Sequence, residues 1–384
     1  MATIDNLRLA HCGLPEETLE DRMKVREFVA TERAKNLLVK PREVGMRSSP
    51  ETSLRLAERG WIGMTWPKEY GGQGRSKLTR YVITEELLAA GVPIGSHWVA
   101  ERQSGPLILR YGTEEQKRKY LPAIAAGECF FCIGMSEPNA GSDLASTRTT
   151  GVKTSGGWRL QGQKTWTSRA HLAHFMIALV RTSQEDDRHG GLSQFIVDLT
   201  SPGVTIRPII NMVGQHDFNE VFLDDVFVSD NCLIGKPGGG WSQVGAELAY
   251  ERSGPERWLS AFPLLAALIE ELGEHASEAS LREIGSLVSH IAALRQMSIQ
   301  IAMSLEKGEV PTVQAAIVKD LGTRFEQSMI RVVRDIADIE RQAAPSPAFL
   351  DILFHAELWA PAFTIRGGTA EIMRGIIAKG LGIR

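Results

Sequence analysis

Met135-Ser-Glu-Pro-Asn-Ala-Gly-Ser-Asp143 ends an apolar, strand-like run and opens a tight turn. Pro138 and Asn139 initiate the turn, Gly141 permits a positive φ, and Ser142 and Asp143 offer local side-chain caps. Successive backbone N–H groups in such a turn form a nest that suits an anion or a carbonyl-rich ring. On its own the segment reads more readily as a plain loop. A second segment, Gln161-Gly-Gln-Lys-Thr-Trp-Thr-Ser168, follows the next strand pattern.

The region around these segments has the period of strands. Cys129–Met135, Gly151–Thr154, Trp158–Gln161, Phe175–Val180, Ser193–Leu199, Val204–Ile209 and Asn219–Val228 are short and rich in β-branched or aromatic residues, and Ser155-Gly156-Gly157 is a hairpin signal. They predict a compact β-barrel or sandwich. Helical patterns flank it. Before it come Glu16–Asn36, Pro50–Glu58, Lys77–Ala90 and a helix running from the Thr113-Glu-Glu-Gln116 capping box to Gly127. After it come Trp241–Leu272, broken at Gly254-Pro255, then Leu281–Leu305, Val313–Ile339, Phe349–Phe363 and Ala370–Lys379. The expected fold class is α+β: an N-terminal all-α domain (1–127), a middle β domain (128–238) and a C-terminal helical domain (239–384).

With 384 residues, 43% of them hydrophobic, the chain can bury a large core in two or three domains. A net charge of −3 provides no global basic field for nucleic acid or anionic lipid. The longest apolar run, Phe175–Val180, is strand-sized, and the N-terminus lacks a basic stretch followed by an apolar one, so a cytoplasmic protein without a membrane span is expected. Cys12, Cys129, Cys132 and Cys232 are too few for a disulfide framework, and Cys129-Phe-Phe-Cys132 reads as buried thiols. His171 and His174 lack the cysteines or carboxylates of a metal site, so no metal is expected. Rossmann, P-loop, zincin and nucleophile-elbow motifs are absent.

Taken together, the two opening segments resemble the flavin-binding motifs of the acyl-CoA dehydrogenase family. The resemblance extends to Gly60-Trp-Ile-Gly-Met-Thr-Trp-Pro-Lys-Glu-Tyr-Gly-Gly72, Tyr111-Gly-Thr-Glu-Glu-Gln-Lys117, Asn219-Glu-Val-Phe-Leu-Asp-Asp-Val226 and Gly368-Thr-Ala-Glu-Ile-Met-Arg374. It implies a noncovalent FAD between the β domain and a C-terminal four-helix bundle. Met135, Ser136, Gly141, Ser142, Trp166, Thr167 and Ser168, with Thr369 and Glu371, would bind it. Met135 and Ser136 would face the pyrimidine edge, Trp166 would pack on the ring and Ser168 would lie near N5. Ser142 would also lie near the CoA part of the substrate.

The family reaction, an oxidation in lipid metabolism, removes the α-proton of an acyl-CoA thioester and passes the β-hydrogen as hydride to flavin N5. Many members carry the carboxylate base just before the Gly-Thr of the C-terminal motif, where this chain has Gly367. Others place it on the first long C-terminal helix, immediately before an arginine. Ala249-Tyr-Glu-Arg-Ser253 matches that arrangement and makes Glu251 the expected base, with Glu247 one turn earlier as fallback. Arg252 would reach toward the CoA side or orient the site, and the Gly367 N–H would help polarise the thioester carbonyl. The family default acceptor is electron-transferring flavoprotein.

Two family segments are missing. Leu281–Gln300 has no R-x-x-F-G-x-P, and Ile339–Phe349 has no Q-x-x-G-G-x-G. In the usual homotetramer these reach a neighbour's FAD, so a heterotetramer with a related chain is an expectation beside the homotetramer. Bacterial relatives that act on bulky CoA esters pair chains in this way. The competing readings are a flavin monooxygenase or oxidase on the same scaffold, and a non-catalytic subunit of a heteromeric dehydrogenase.

Overall fold

The computed structural model describes residues 13–252, 254–340 and 345–383, with the side chains of 246–251 outside that description. In chain order the helices α1 (Glu17–Ala34), α2 (Pro50–Ala57), α3 (Lys77–Ala89), α4 (Gly95–Val99), α5 (Gly105–Tyr111) and α6 (Glu114–Ala125) come first. Strands β1 (Phe131–Gly134), β2 (Thr150–Thr154), β3 (Gly157–Lys164), β4 (Phe175–Arg181), β5 (Leu192–Asp198), β6 (Val204–Ile210), β7 (His216–Ser229) and β8 (Leu233–Ile234) follow. Helices α7 (Gly240–Glu251), α8 (Phe262–Leu272), α9 (Glu278–Glu306), α10 (Thr312–Ile339), α11 (Pro347–Trp359) and α12 (Ala370–Gly380) complete an α+β architecture. Contacts group the chain into two units. One contains Ser48–Gly74 and Ile94–Leu248; the other contains the chain up to Arg47, Arg75–Pro93 and Ala249 onward.

In the first of these units the strands form one eight-stranded sheet in the order β6-β7-β3-β2-β4-β5-β8, with β1 paired to β4. The hydrogen-bonded path has two ends, so the barrel expected from the strand count is open along it. β4 is buried from Met176 to Val180, and β1, β2 and β5 all pair with it. Trp158, Leu160, Met176, Phe195, Val197 and Val221 meet in the core of the sheet. The β2–β3 hairpin turns at Ser155-Gly156, where Gly156 has φ +73. The two-residue strand β8 is too short to show a period in sequence.

The helices of this unit begin where their caps predict. Ser49 Oγ accepts from Thr52 N ahead of Pro50, and Thr113 and Gln116 form the expected capping box at the start of α6. Gln116 Nε2 also donates to Asn231 O (2.7 Å) and Leu233 O (2.9 Å), which ties α6 to the edge strand β8. Sequence patterning assigned no element to 95–111, yet α4, a π-helical stretch (Ala100–Ser104) and α5 occupy it. Gly105 is a packing glycine. A Cβ there would sit 2.2 Å from the Trp66 ring. Pro106 stands in the first turn of α5, directly after the π-helical stretch.

In the other unit α10 packs against α8, α9, α11 and α12. Buried Glu85 on α3 accepts from Arg22 on α1 (2.8 Å) and from Arg295 on α9 (2.6 Å), so one carboxylate joins three helices. The expected break falls at Gly254-Pro255, where a 3-10 turn over Pro255–Arg257 separates α7 from α8. One helical stretch among the described residues, Pro347–Gly380, is long and apolar enough by composition to cross a membrane, but it divides into α11, a 3-10 segment and α12. The two α-helical pieces have 13 and 11 residues, each short of the roughly 20 residues a bilayer requires.

Candidate active site

β1 delivers the chain into Met135–Asp143, and β3 delivers it into Thr165–Ser168. Glu137 and Ala140 exchange backbone hydrogen bonds (2.8 and 3.1 Å), which closes the Pro138-Asn139 turn. The two segments are then joined directly: Thr165 N donates to Ser136 O at 2.9 Å. Beneath them lies a buried ion pair, Lys164 Nζ to Glu137 Oε1 at 2.7 Å, with the lysine fully buried. Lys164 Nζ also reaches Met135 O at 3.3 Å. The Glu137 carboxylate accepts further from Arg148 N (2.7 Å) and Thr149 N (2.9 Å). Burial opposes ionisation of Glu137, but Lys164 and these donors outweigh it and hold the carboxyl below its ordinary range. Burial pulls the Lys164 ammonium down to about 8 against the attraction of Glu137.

Sequence reasoning missed this pair. Both residues sit inside the quoted segments, Glu137 in the turn and Lys164 at the end of β3, where a lone charged residue reads as solvated. The available signal was a cation and an anion within two segments expected to converge on one ligand.

Trp166 has a left-handed backbone (φ +56) and a side chain 59% exposed, edge-on to Phe218. Thr167 is clamped by Asn219: its N–H donates to Asn219 O and its carbonyl accepts from Asn219 Nδ2, both at 3.0 Å. Asn219 Oδ1 in turn meets the stacked rings of His171 and His216. The Thr167 hydroxyl is buried without a partner. Ser168 lines a small cavity with Ser96 and Phe131. Gly141 and Ser142 are exposed, and no atom lies within 4 Å of where a Gly141 Cβ would stand; contrary to expectation, Gly141 does not adopt a positive φ. Asp143 pairs with Arg188 and accepts from Ser146 Oγ. An exposed indole beside an orphaned hydroxyl and an open glycine turn fits a flat, polar-edged ring such as isoalloxazine.

The remaining expected positions lie in the helical unit. Arg252, 6% exposed, donates from Nε to Gly367 O at 3.3 Å. Gly367 (φ +71) and Gly368 (φ +101) form a turn that needs glycine at both places. Thr369 caps α12 by accepting from Ile372 N, and Glu371 follows in the first turn of that helix. The α7 backbone is described to Glu251, but the side chains of Glu251 and Glu247 lie outside the described residues. The structure therefore unites Met135 and Ser136 with Thr165–Thr167 in one unit, and Arg252 with Gly367 in the other.

Cys12 lies outside the described residues. Cys129 and Cys132 are buried, and burial pushes the Cys129 thiol up to about 12 and Cys132 higher still. His174 Nδ1 accepts from Phe130 N at 3.0 Å.

Family models for the acyl-CoA dehydrogenase N-terminal, middle and C-terminal domains match residues 15–128, 132–226 and 238–382. The chain belongs to the acyl-CoA dehydrogenase family, whose members are flavin-dependent oxidoreductases. It is 34% identical over 348 residues to acyl-CoA dehydrogenase FadE34 of Mycobacterium tuberculosis, which covers 88% of this chain but only 47% of FadE34. It therefore spans about half the length of that relative. Among solved structures it resembles the ChsE4–ChsE5 complex from Mycobacterium tuberculosis (31% identity, TM-score 0.81, covering 98% of this chain and 100% of that one). It also resembles the Tcur3481–Tcur3483 steroid ACAD (29% identity, TM-score 0.84, covering 96% and 98%).

Proposed function

We propose that this chain catalyses the α,β-dehydrogenation of an acyl-CoA thioester, with Glu251 as base. The observation that carries the reading is the hydrogen bond from Arg252 to Gly367 O. It ties the residue after Glu251 to the turn where other family members keep their base. FAD, when bound, supplies the hydride acceptor. The chain's own residues do the rest. Glu251 takes the α-proton, and the Gly367 N–H holds the thioester oxygen as negative charge grows there. Arg252 braces the turn and faces the CoA side. Met135, Ser136, Gly141, Ser142, Thr167 and Ser168 would supply polar groups to a bound flavin, and Trp166 would pack against its ring.

The acyl group is bulky in this reading. Gly367 and Gly368 place no side chain at the turn, and one similar structure is a steroid ACAD. Electron-transferring flavoprotein accepts the electrons. The active form is a tetramer, and the missing diphosphate-side segments together with the likeness to the ChsE4–ChsE5 complex favour a related second chain. The chain expressed alone should then purify with substoichiometric FAD; a stable, FAD-saturated homotetramer would remove the need for a partner.

The reaction is tested by mass analysis of the product. Dehydrogenation yields an enoyl-CoA two hydrogens lighter than the substrate. A product heavier by one oxygen atom would establish a monooxygenase instead. Activity residing wholly in another chain would make this one a structural subunit.

Trp166→Ala removes the exposed indole without touching the buried pair. FAD affinity should weaken about tenfold, in line with roughly 0.5–1.5 kcal/mol for an aromatic stacking contact. Fluorescence titration of the apoprotein with FAD measures it, and unchanged affinity would place the ring elsewhere.

A further inference from the structure

The Gly367–Gly368 turn rests on buried cations. Lys319 of α10 is fully buried, and its ammonium donates to Thr364 O at 2.9 Å and to Gly368 O at 2.6 Å. Arg252 takes the intervening carbonyl of Gly367. The preceding residue is pinned as well: Arg366 donates to Glu326 Oε2 at 2.5 Å and to Ser260 Oγ at 2.8 Å. Glu326, itself fully buried, accepts from Ser260 N at 2.8 Å.

Two consecutive left-handed glycines have little intrinsic preference for one shape, so the partners of their carbonyls fix the turn. Those carbonyls are engaged, while the Gly367 N–H has no protein acceptor among the described residues. The arrangement is costly. Burial and the charges of Arg257, Arg366 and Arg252 bring Lys319 down to about 8, with only Asp320 among its main influences acting the other way. A methionine of similar length would avoid the desolvation of an ammonium.

We propose that Lys319 is a positioning residue of the thioester site: by clamping the Thr364 and Gly368 carbonyls it holds the turn so that the Gly367 N–H meets the thioester oxygen. This rests on the role given to Gly367 above. When the base removes the α-proton, the C–H electron pair delocalises onto the thioester oxygen. The enolate is then stabilised only as well as that N–H is aimed. Lys319 acts through the turn and touches neither substrate nor cofactor.

The test uses the FAD-loaded enzyme with acetoacetyl-CoA, whose α-proton ionises to an absorbing enolate without any flavin turnover. The bound probe is titrated with pH. On the unaltered enzyme it should be more acidic than in solution. In Lys319→Met its ionisation constant should fall about tenfold or more. FAD content and affinity for butyl-CoA, a thioether with no carbonyl to polarise, should stay unchanged. A structural loss would move those two controls instead. Should Lys319→Met not fold, Lys319→Gln, which keeps a donor, carries the same comparison with a smaller fall expected. An unchanged ionisation constant in the folded variant overturns the clamp. No enolate on the unaltered enzyme overturns the role of Gly367 and the clamp with it.

Discussion

Glu251→Gln should retain bound, yellow FAD and lose turnover by roughly a hundred- to ten-thousand-fold, the range by which a positioned general base accelerates proton transfer. The amide keeps the size and a hydrogen-bonding end of the side chain, so the substitution removes basicity while leaving packing nearly intact. Arg252 and Gly367 are untouched by it, and their bond at 3.3 Å should continue to hold the turn. Substrate affinity should therefore change little and the loss should fall on kcat. Glu247→Gln, one turn earlier, is the control. Full loss in that variant with activity retained in Glu251→Gln would move the base to Glu247. Normal turnover in both would remove α7 from the chemistry.

Glu137→Ala should be the most destabilising single change in the β unit. It strands a fully buried ammonium, and it removes the acceptor for Arg148 N and Thr149 N. Breaking a buried pair from one side costs about 3–5 kcal/mol, most of it the price of the charge left behind. Because Lys164 also holds Met135 O, the flavin turn should loosen and FAD should be lost together with stability. Pairing Glu137→Gln with Lys164→Met removes both charges and should recover much of the stability. Denaturant unfolding of the single and double variants measures this; equal stability of Glu137→Ala and the unaltered protein would mean the pair carries no load. Acid should imitate the single change. The Glu137 carboxyl is held below its ordinary value of 4.5. Its contribution is complete above that value and is lost as pH falls through the lower folded value. Glu137→Gln should flatten that part of the stability profile.

The parts of this protein that sequence exposes most clearly are those with local rules. Thr113 and Gln116 announce the start of α6, Gly254-Pro255 announces the break after α7, and Ser155-Gly156 announces a hairpin. The order of helices, strands and helices follows from the change of period. What escaped depends on distant partners. Gly105 gives no local sign of its role because its reason for being glycine is the Trp66 ring, far off in the chain. Glu137 and Lys164 look solvated because nothing local shows that each is the other's counterion across 27 positions. Lys319 falls within an amphipathic helical pattern, and only the folded turn at 364–368 shows what it holds. Among the expected site residues, Met135, Ser136 and the Trp166 segment were readable as two motifs. That they are bonded through Ser136 O and Thr165 N was not.

The central claim is that this chain abstracts an α-proton and oxidises the Cα–Cβ bond of an acyl-CoA. Anaerobic mixing of the FAD-loaded protein with a panel of linear, branched and polycyclic acyl-CoA esters tests it most directly, read as loss of the flavin absorbance. At least one bulky ester should bleach the flavin within a single turnover, and deuterium at its α-carbon should slow the bleaching. A flavin that stays oxidised with every ester, yet turns over once reduced and exposed to oxygen, would contradict the account.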